Sequence, residues 1–228
     1  MATWITHLRI AEKLLDRIDG MTETEFVVGN MAPDSGVPNR DWSVFTPNTE
    51  ISHWRKTGTN GEKRIHIEEY AQKYLGEEQI HSYNQAQKSF YLGYYTHLLS
   101  DIYWAESVIE QSRVKYKEIY EKDKNECIWI LKGDWYDLDY LYLKENGIFK
   151  TFQIYKDSEG FKNRYLDFFS EDAFDNRREY ITSLYLAGKD GIDREYKYMS
   201  KEEMEYFVDE SVFKIIRILK REYKIVTI

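Results

Sequence analysis

Apolar residues recur at helical spacing along almost the whole chain. In residues 3–19, Ile10, Leu14, Leu15 and Ile18 are interleaved with Arg9, Glu12, Lys13 and Asp16, the pattern of a helix with one buried face. Thr22-Glu23-Thr24-Glu25 has the spacing of a capping box and predicts a short helix that stops at Gly29. The most apolar stretch runs from about Asn84 to Gln111. Phe90, Tyr94, Leu98, Ile102 and Ala105 form one stripe there, with Leu92, Tyr95, Leu99 and Tyr103 beside it. Such breadth requires burial on several sides, which makes this the expected central helix. Further helices are predicted over 65–75, 113–122, 124–131, 134–145, 148–156, 160–169 and 171–187. Ser200-Lys201-Glu202-Glu203 is another capping box, opening a final helix to about Lys224. Its Phe207, Val208, Val212, Ile215, Ile216 and Leu219 read as core or as the face of a homodimer.

Two stretches interrupt the pattern. Pro33, Pro38 and Pro47, the only prolines of the chain, all fall within 30–50, which predicts a long loop of the kind that often carries function. Thr57-Gly58-Thr59-Asn60-Gly61 is a second breaker. No alternating segment of useful length predicts a strand, and internal repeats are absent. The expectation is a single all-α domain over 1–228, a multi-helix bundle. Within it, 1–112 carries the candidate site and 113–228 forms a helical C-terminal half.

Composition narrows the classes. Hydrophobic residues make up 42% and charged residues 32% of the chain, which suits a globular protein with its own core. With 20 Tyr among its aromatics, the interior must give many phenols a partner, so polar clefts between helices are expected. A net charge of −8 argues against a nucleic-acid partner, which needs a basic face. It leaves phosphate chemistry open, because a bound metal brings its own positive charge. The lone Cys127 allows no intramolecular disulfide. No apolar run has the length of a signal peptide or a membrane span, so a cytoplasmic location is expected.

The histidines are His7, His53, His66, His81 and His97, with none beyond 97. A site built on imidazole must therefore draw on the N-terminal half. His97 and Asp101 lie one helical turn apart on one face, where a single divalent ion can bridge them. Gly93, one turn earlier, permits close approach of another backbone or a ligand. Taken alone, the pair reads more readily as a core histidine bonded to its neighbour. Asp34 in the Pro33/Gly36 turn reads as a turn residue, and His53 as a helix-end histidine. His7 faces the same side of the first helix as Ala11 and Leu14.

Order changes that reading. A first-helix histidine, an Asp in a Gly/Pro loop and a following histidine precede Phe90-x-x-Gly93-x-x-x-His97-x-x-x-Asp101. This resembles the zinc-dependent phospholipase C family of all-α metallohydrolases, specifically over residues 1–105. The resemblance implies that Asp34, His53, His97 and Asp101 share one metal, zinc or a divalent ion such as Mn, Fe or Ni. It implies that His7 and Asp101 contribute to a neighbouring one. It also implies a hydrolase that activates water against a small-molecule phosphoester, with Asp34 or Asp101 orienting the water or taking its proton. Tyr94, Tyr95, Tyr103 and Trp104 are candidates to line the pocket.

The chain departs from the family in two places. Secreted phospholipases of this family use a mature N-terminal tryptophan amine, whereas Trp4 lies inside this chain. They also carry histidines after the HxxxD helix, which this chain lacks. Asp134 and Asp137, or His66, Glu68 and Glu69, are the candidate substitutes; the plainer reading of the two aspartates is an N-cap and a solvated face. The competing functions are a catalytically inactive metal-binding or small-molecule-binding protein on the same scaffold, and a phosphohydrolase of the HD type. The latter needs an adjacent His-Asp pair that is missing here.

Overall fold

The computed structural model describes residues 1–41, 43–59 and 61–225. It is an all-α fold with two minimal hairpins. Its centre is the helix α6 (Gln85–Tyr103), buried from Ser89 through Asp101. Around it pack α1 (Trp4–Leu15), α2 (Glu23–Met31), α4 (Ile67–Tyr74) and α12 (Lys201–Tyr223). A π-helical segment at Trp104–Ile109 carries α6 on into α7 (Glu110–Lys115), and the remaining α-helices among the described residues are α3 (Thr49–Ser52), α5 (Glu77–Ser82), α8 (Lys117–Lys122), α9 (Lys124–Asn146), α10 (Lys150–Asp157) and α11 (Ala173–Leu186). No helix is long and apolar enough to cross a membrane among the described residues.

The closest helix contact explains why two glycines sit where they do. At Gly29 an added Cβ would lie 2.2 Å from the Phe90 carbonyl oxygen, and at Gly93 it would lie 2.1 Å from that of Phe26. α2 and α6 thus cross backbone to backbone, each through the other's missing side chain. Gly29 is therefore an interior helix residue and not the predicted terminator. α2 continues to Met31 and passes into a 3₁₀ turn at Ala32–Asp34, which carries the first proline.

Four other expectations are corrected. The breaker at 57–61 is the turn of a hairpin, with β3 (Arg55–Thr57) paired antiparallel to β4 (Lys63–Ile65); Asn60 itself lies outside the described residues. A smaller pair, β1 (Val37–Pro38) and β2 (Phe45–Thr46), ties off the proline loop. The helices predicted at 124–131 and 134–145 are one helix, because Gly133 costs an interior helix only about 1 kcal/mol. Residues 160–169 form no helix. The Asn163 side chain there donates to the Leu166 and Phe169 carbonyls at 2.6 and 2.8 Å and accepts from the Tyr165 and Leu166 amides, competing with the helical ladder.

The capping boxes divide. Ser200 and Glu203 make theirs at the start of α12. Thr22 makes none, and its hydroxyl is buried without a partner. The apolar stripe of α12, including Phe207, Val208, Val212, Ile215 and Leu219, is buried in the chain's own core against α1 and α6.

Candidate metal centre

α6 places His97 and Asp101 one turn apart, with His97 Nε2 3.6 Å from Asp101 Oδ2. The α2–α6 crossing brings the Asn30 carbonyl to His97 Nδ1 at 2.7 Å. That carbonyl only accepts, so Nδ1 carries the proton and Nε2 presents a lone pair. α1 lays His7 flat on His97, with ring centroids 3.7 Å apart and planes 9° from parallel. Ser100 donates its hydroxyl to the His97 carbonyl at 2.8 Å, so at 3.0 Å it accepts from His7 Nδ1. His7 Nε2 is therefore also a bare lone pair, 3.4 Å from Asp101 Oδ1.

His53 arrives from the other side. Asn48 caps α3 by accepting from the Glu50 and Ile51 amides, and His53 terminates that helix. Trp54 follows at φ +54°, a left-handed conformation that a bulky side chain rarely adopts. Its ring packs edge-on against Tyr70 and Tyr74. The chain thereby turns sharply and aims His53 Nε2 at Asp34 Oδ1 (3.2 Å), His97 Nε2 (3.4 Å) and Asp101 Oδ2 (3.7 Å). The His53 Nδ1 atom is 2.9 Å from the Ser52 hydroxyl.

The structure thus brings His7, Asp34, His53, His97 and Asp101 together. Two overlapping groups have all their donor atoms within 4.8 Å of one another: His7, His97 and Asp101, and Asp34, His53 and His97. All but Asp34 are buried, and Asp34 stands at the rim. Asp101 Oδ1 accepts the Ala2 amide at 2.9 Å. Asp101 Oδ2 and His7 Nε2 are buried without any hydrogen-bond partner. Electron pairs facing one another in a dry interior are costly unless a cation lies between them. Two imidazoles and two carboxylates, each imidazole held through its other nitrogen, are a donor set that fits zinc.

Charge in the cluster is uneven. Burial, and then the neighbouring His97, push His7 down to about 4, so its ring is neutral at ordinary pH. Burial opposes ionisation of Asp101, but the Met1 ammonium, and then the imidazoles of His7 and His97 beside it, hold its carboxyl well below the usual carboxylate range. Asp34 is likewise held low, its burial outweighed by the hydrogen bond from His53 and the nearby imidazole of His97. Anionic carboxylates beside a neutral imidazole are the protonation states a metal needs.

Other predicted residues do not join the cluster. Asp134 and Asp137 are buried within α9 and neither caps it. Arg194 lies 2.7 Å from Asp134 and 2.8 Å from Asp137, which also pairs with Lys189. The Tyr198 amide donates to Asp134 at 2.6 Å. His66 stands 3.4 and 3.5 Å from Glu68 and Glu69 and is in neither group of converging metal donors. Tyr94 donates to the Ser52 carbonyl and stacks on Tyr70, while Trp104 is wedged against Trp135 and Phe207. These two belong to the core rather than to a pocket wall.

Sequence reasoning missed Asn30, Ser52, Ser100 and Ala2. Ser100 carried a usable signal, being three residues from His97 on the same helix. The Asn30 and Ala2 contacts are made by backbone and leave no mark in residue type.

No curated protein and no solved structure matches the chain significantly. The family model for zinc dependent phospholipase C does match, over residues 6–221. That span includes His7, Asp34, His53, His97 and Asp101 and continues almost to the end of α12. The resemblance first read from residues 1–105 thus extends over nearly the whole chain, which belongs to the zinc-dependent phospholipase C family.

Proposed function

We propose that the protein is a zinc-dependent hydrolase of phosphoesters, with Asp34, His53, His97 and Asp101 holding the metal and His7 with Asp101 serving a neighbouring position. The observation that carries this reading is the pair of partnerless buried donors, His7 Nε2 and Asp101 Oδ2, inside a shell of oriented imidazoles. When bound, the metal would bring a water's pKa towards ~7 and polarise a phosphoryl oxygen.

The chain's own residues divide the remaining work. Asp101 is sunk in the core and anchored by the Ala2 amide, so it positions and neutralises. Asp34 at the rim is the carboxylate that a water entering from solvent meets first, and it orients that water and accepts its proton. Asn30 and Ser100 fix which imidazole nitrogens face the centre. A phospholipid headgroup is a substrate the family makes plausible.

Metal analysis of the purified protein, followed by assay on p-nitrophenyl phosphate and bis-p-nitrophenyl phosphate, tests the proposal. Bound zinc with turnover that His97→Ala abolishes supports it. Zinc without turnover on either ester or on phospholipid favours the second reading, a catalytically inactive metal-binding protein. One observation favours that reading: the α9 carboxylates are committed to Arg194 and Lys189 and leave the cluster without further ligands. No bound metal overturns both.

A further inference from the structure

The half of the chain without histidines reaches the cluster at the Asp34 turn. Asp34 ends the 3₁₀ turn that follows α2, and no side chain caps that turn. Its carboxylate nonetheless stands 3.2 Å from His53 Nε2. Ser35 ties the turn back on itself, its amide donating to the Ala32 carbonyl at 3.0 Å and its hydroxyl to that of Met31 at 3.4 Å. Beyond Gly36 the chain enters β1, which pairs with β2 through two residues only. A hairpin that short does not fix a loop by itself.

Arg177 supplies a hold from outside. It lies on the buried face of α11, which Ile181 and Tyr185 continue at four-residue spacing. Its Nη2 donates to the Gly36 carbonyl, two residues after Asp34. Its guanidinium carbon lies 5.8 Å from the centre of the Phe45 ring and 5.5 Å from that of Tyr180. Phe45 is the β2 residue paired with Pro38, so both ends of the small hairpin meet the same side chain. The Tyr180 ring in turn meets Trp4 edge-on at 6.0 Å, and Trp4 begins the helix that carries His7. At 5% exposure Arg177 is a costly group to bury. A planar guanidinium can bond a carbonyl in its plane while its faces lie against aromatic rings, which recovers part of that cost. An ammonium cannot do both at once.

We propose that Arg177 is a positioning residue for the metal centre: by holding the Gly36 carbonyl and the Phe45 ring it keeps the Asp34 carboxylate turned towards His53. The proposal rests on the reading of the cluster as a metal site. Arg177 acts on the ion only through Asp34, and it gives the C-terminal half a part in the site without a ligand of its own. A guanidinium that merely packed the core would support all the ligands alike.

Zinc affinity, measured by competition with a chromophoric chelator, tests this in a double-mutant cycle with Asp34→Ala. Arg177→Met should weaken zinc about tenfold in the parent and less than about twofold in the Asp34→Ala background. Arg177→Lys, the milder variant, should lose about threefold, keeping the charge and a donor but not the stacking. Ile181→Val, on the same face of α11, should lower the urea midpoint and leave zinc affinity unchanged. Amide exchange over residues 32–38 should quicken about tenfold in Arg177→Met, the loss of one hydrogen bond from a charged donor. Equal zinc losses in both backgrounds overturn the proposal, as does no loss in the parent. A parent that holds no zinc sinks the metal reading itself. Exchange measured without any ion then still decides whether Arg177 fixes the turn, and an unchanged rate over 32–38 overturns it.

Discussion

Two groups of buried acids lie within this chain, and they have opposite character. On α9, Asp134 and Asp137 are ringed by Arg194, Lys189 and the Tyr198 amide. Asp139 on the same helix accepts the Thr3 hydroxyl at 2.6 Å and that of Tyr185 at 2.5 Å. Beside α6, Asp101 faces the unprotonated Nε2 atoms of His7 and His97, Asp34 faces His53 Nε2, and one oxygen of Asp101 has no partner. The difference teaches that acid density does not mark a metal site. Satisfied carboxylates hold a fold together, while converging unsatisfied ones await a cation.

The comparison breaks most sharply at His97. His97→Ala should cost more than about 100-fold in zinc affinity, since even outer-shell changes cost 10–100-fold, and metal analysis after dialysis reads it. Gly93→Ala touches no ligand. It drives a Cβ against the Phe26 carbonyl at 2.1 Å and should cost about 3 kcal/mol in urea unfolding. His7 then separates burial from pairing by pH. Its folded pKa of about 4 lies below its ordinary 6.5, so the unfolded chain binds the proton first. This contribution to stability is present above pH 6.5 and lost as pH falls towards 4. In chelator, the parent should lose about 2 kcal/mol more than His7→Gln between pH 7 and 5.

Smaller effects sharpen the same contrast. Ser100→Ala removes the acceptor that fixes the His7 ring and should lower zinc affinity about tenfold. Asp137→Asn, on the satisfied side, should leave zinc content unchanged. It should cost about 1 kcal/mol or less, because its partners Lys189 and Arg194 are substantially exposed. Zinc loss in Asp137→Asn would erase the distinction between the two groups.

Much of this was legible in the residues and some was not. The breadth of apolar surface on 84–111 identified the central helix, and HxxxD with its upstream glycine identified the face. Order along the chain then picked out His7, Asp34 and His53, which the structure gathers around that face. The α9 aspartates were misread because their partners, Arg194 and Lys189, lie more than fifty residues away and carry no periodic signal. The loop at 160–169 was misread because Asn163 replaces backbone helical bonds with its own amide. A helix predicted from apolar spacing cannot anticipate that substitution. Trp54 φ and the Asn30 carbonyl belong to tertiary geometry alone.

The face-to-face contact of His7 on His97 has one more consequence. The two rings come from different helices, and their stacking is fixed by Ser100, Asn30 and the packing of α1 on α6. The entropy of gathering these donors was therefore spent when the core folded, and uptake of an ion orders little that was loose. Stripping the ion with a chelator should leave the helical circular dichroism intact. The protein would stand apart from small metallodomains that fold only when loaded. A centre preassembled in this way would take up an ion without a folding step.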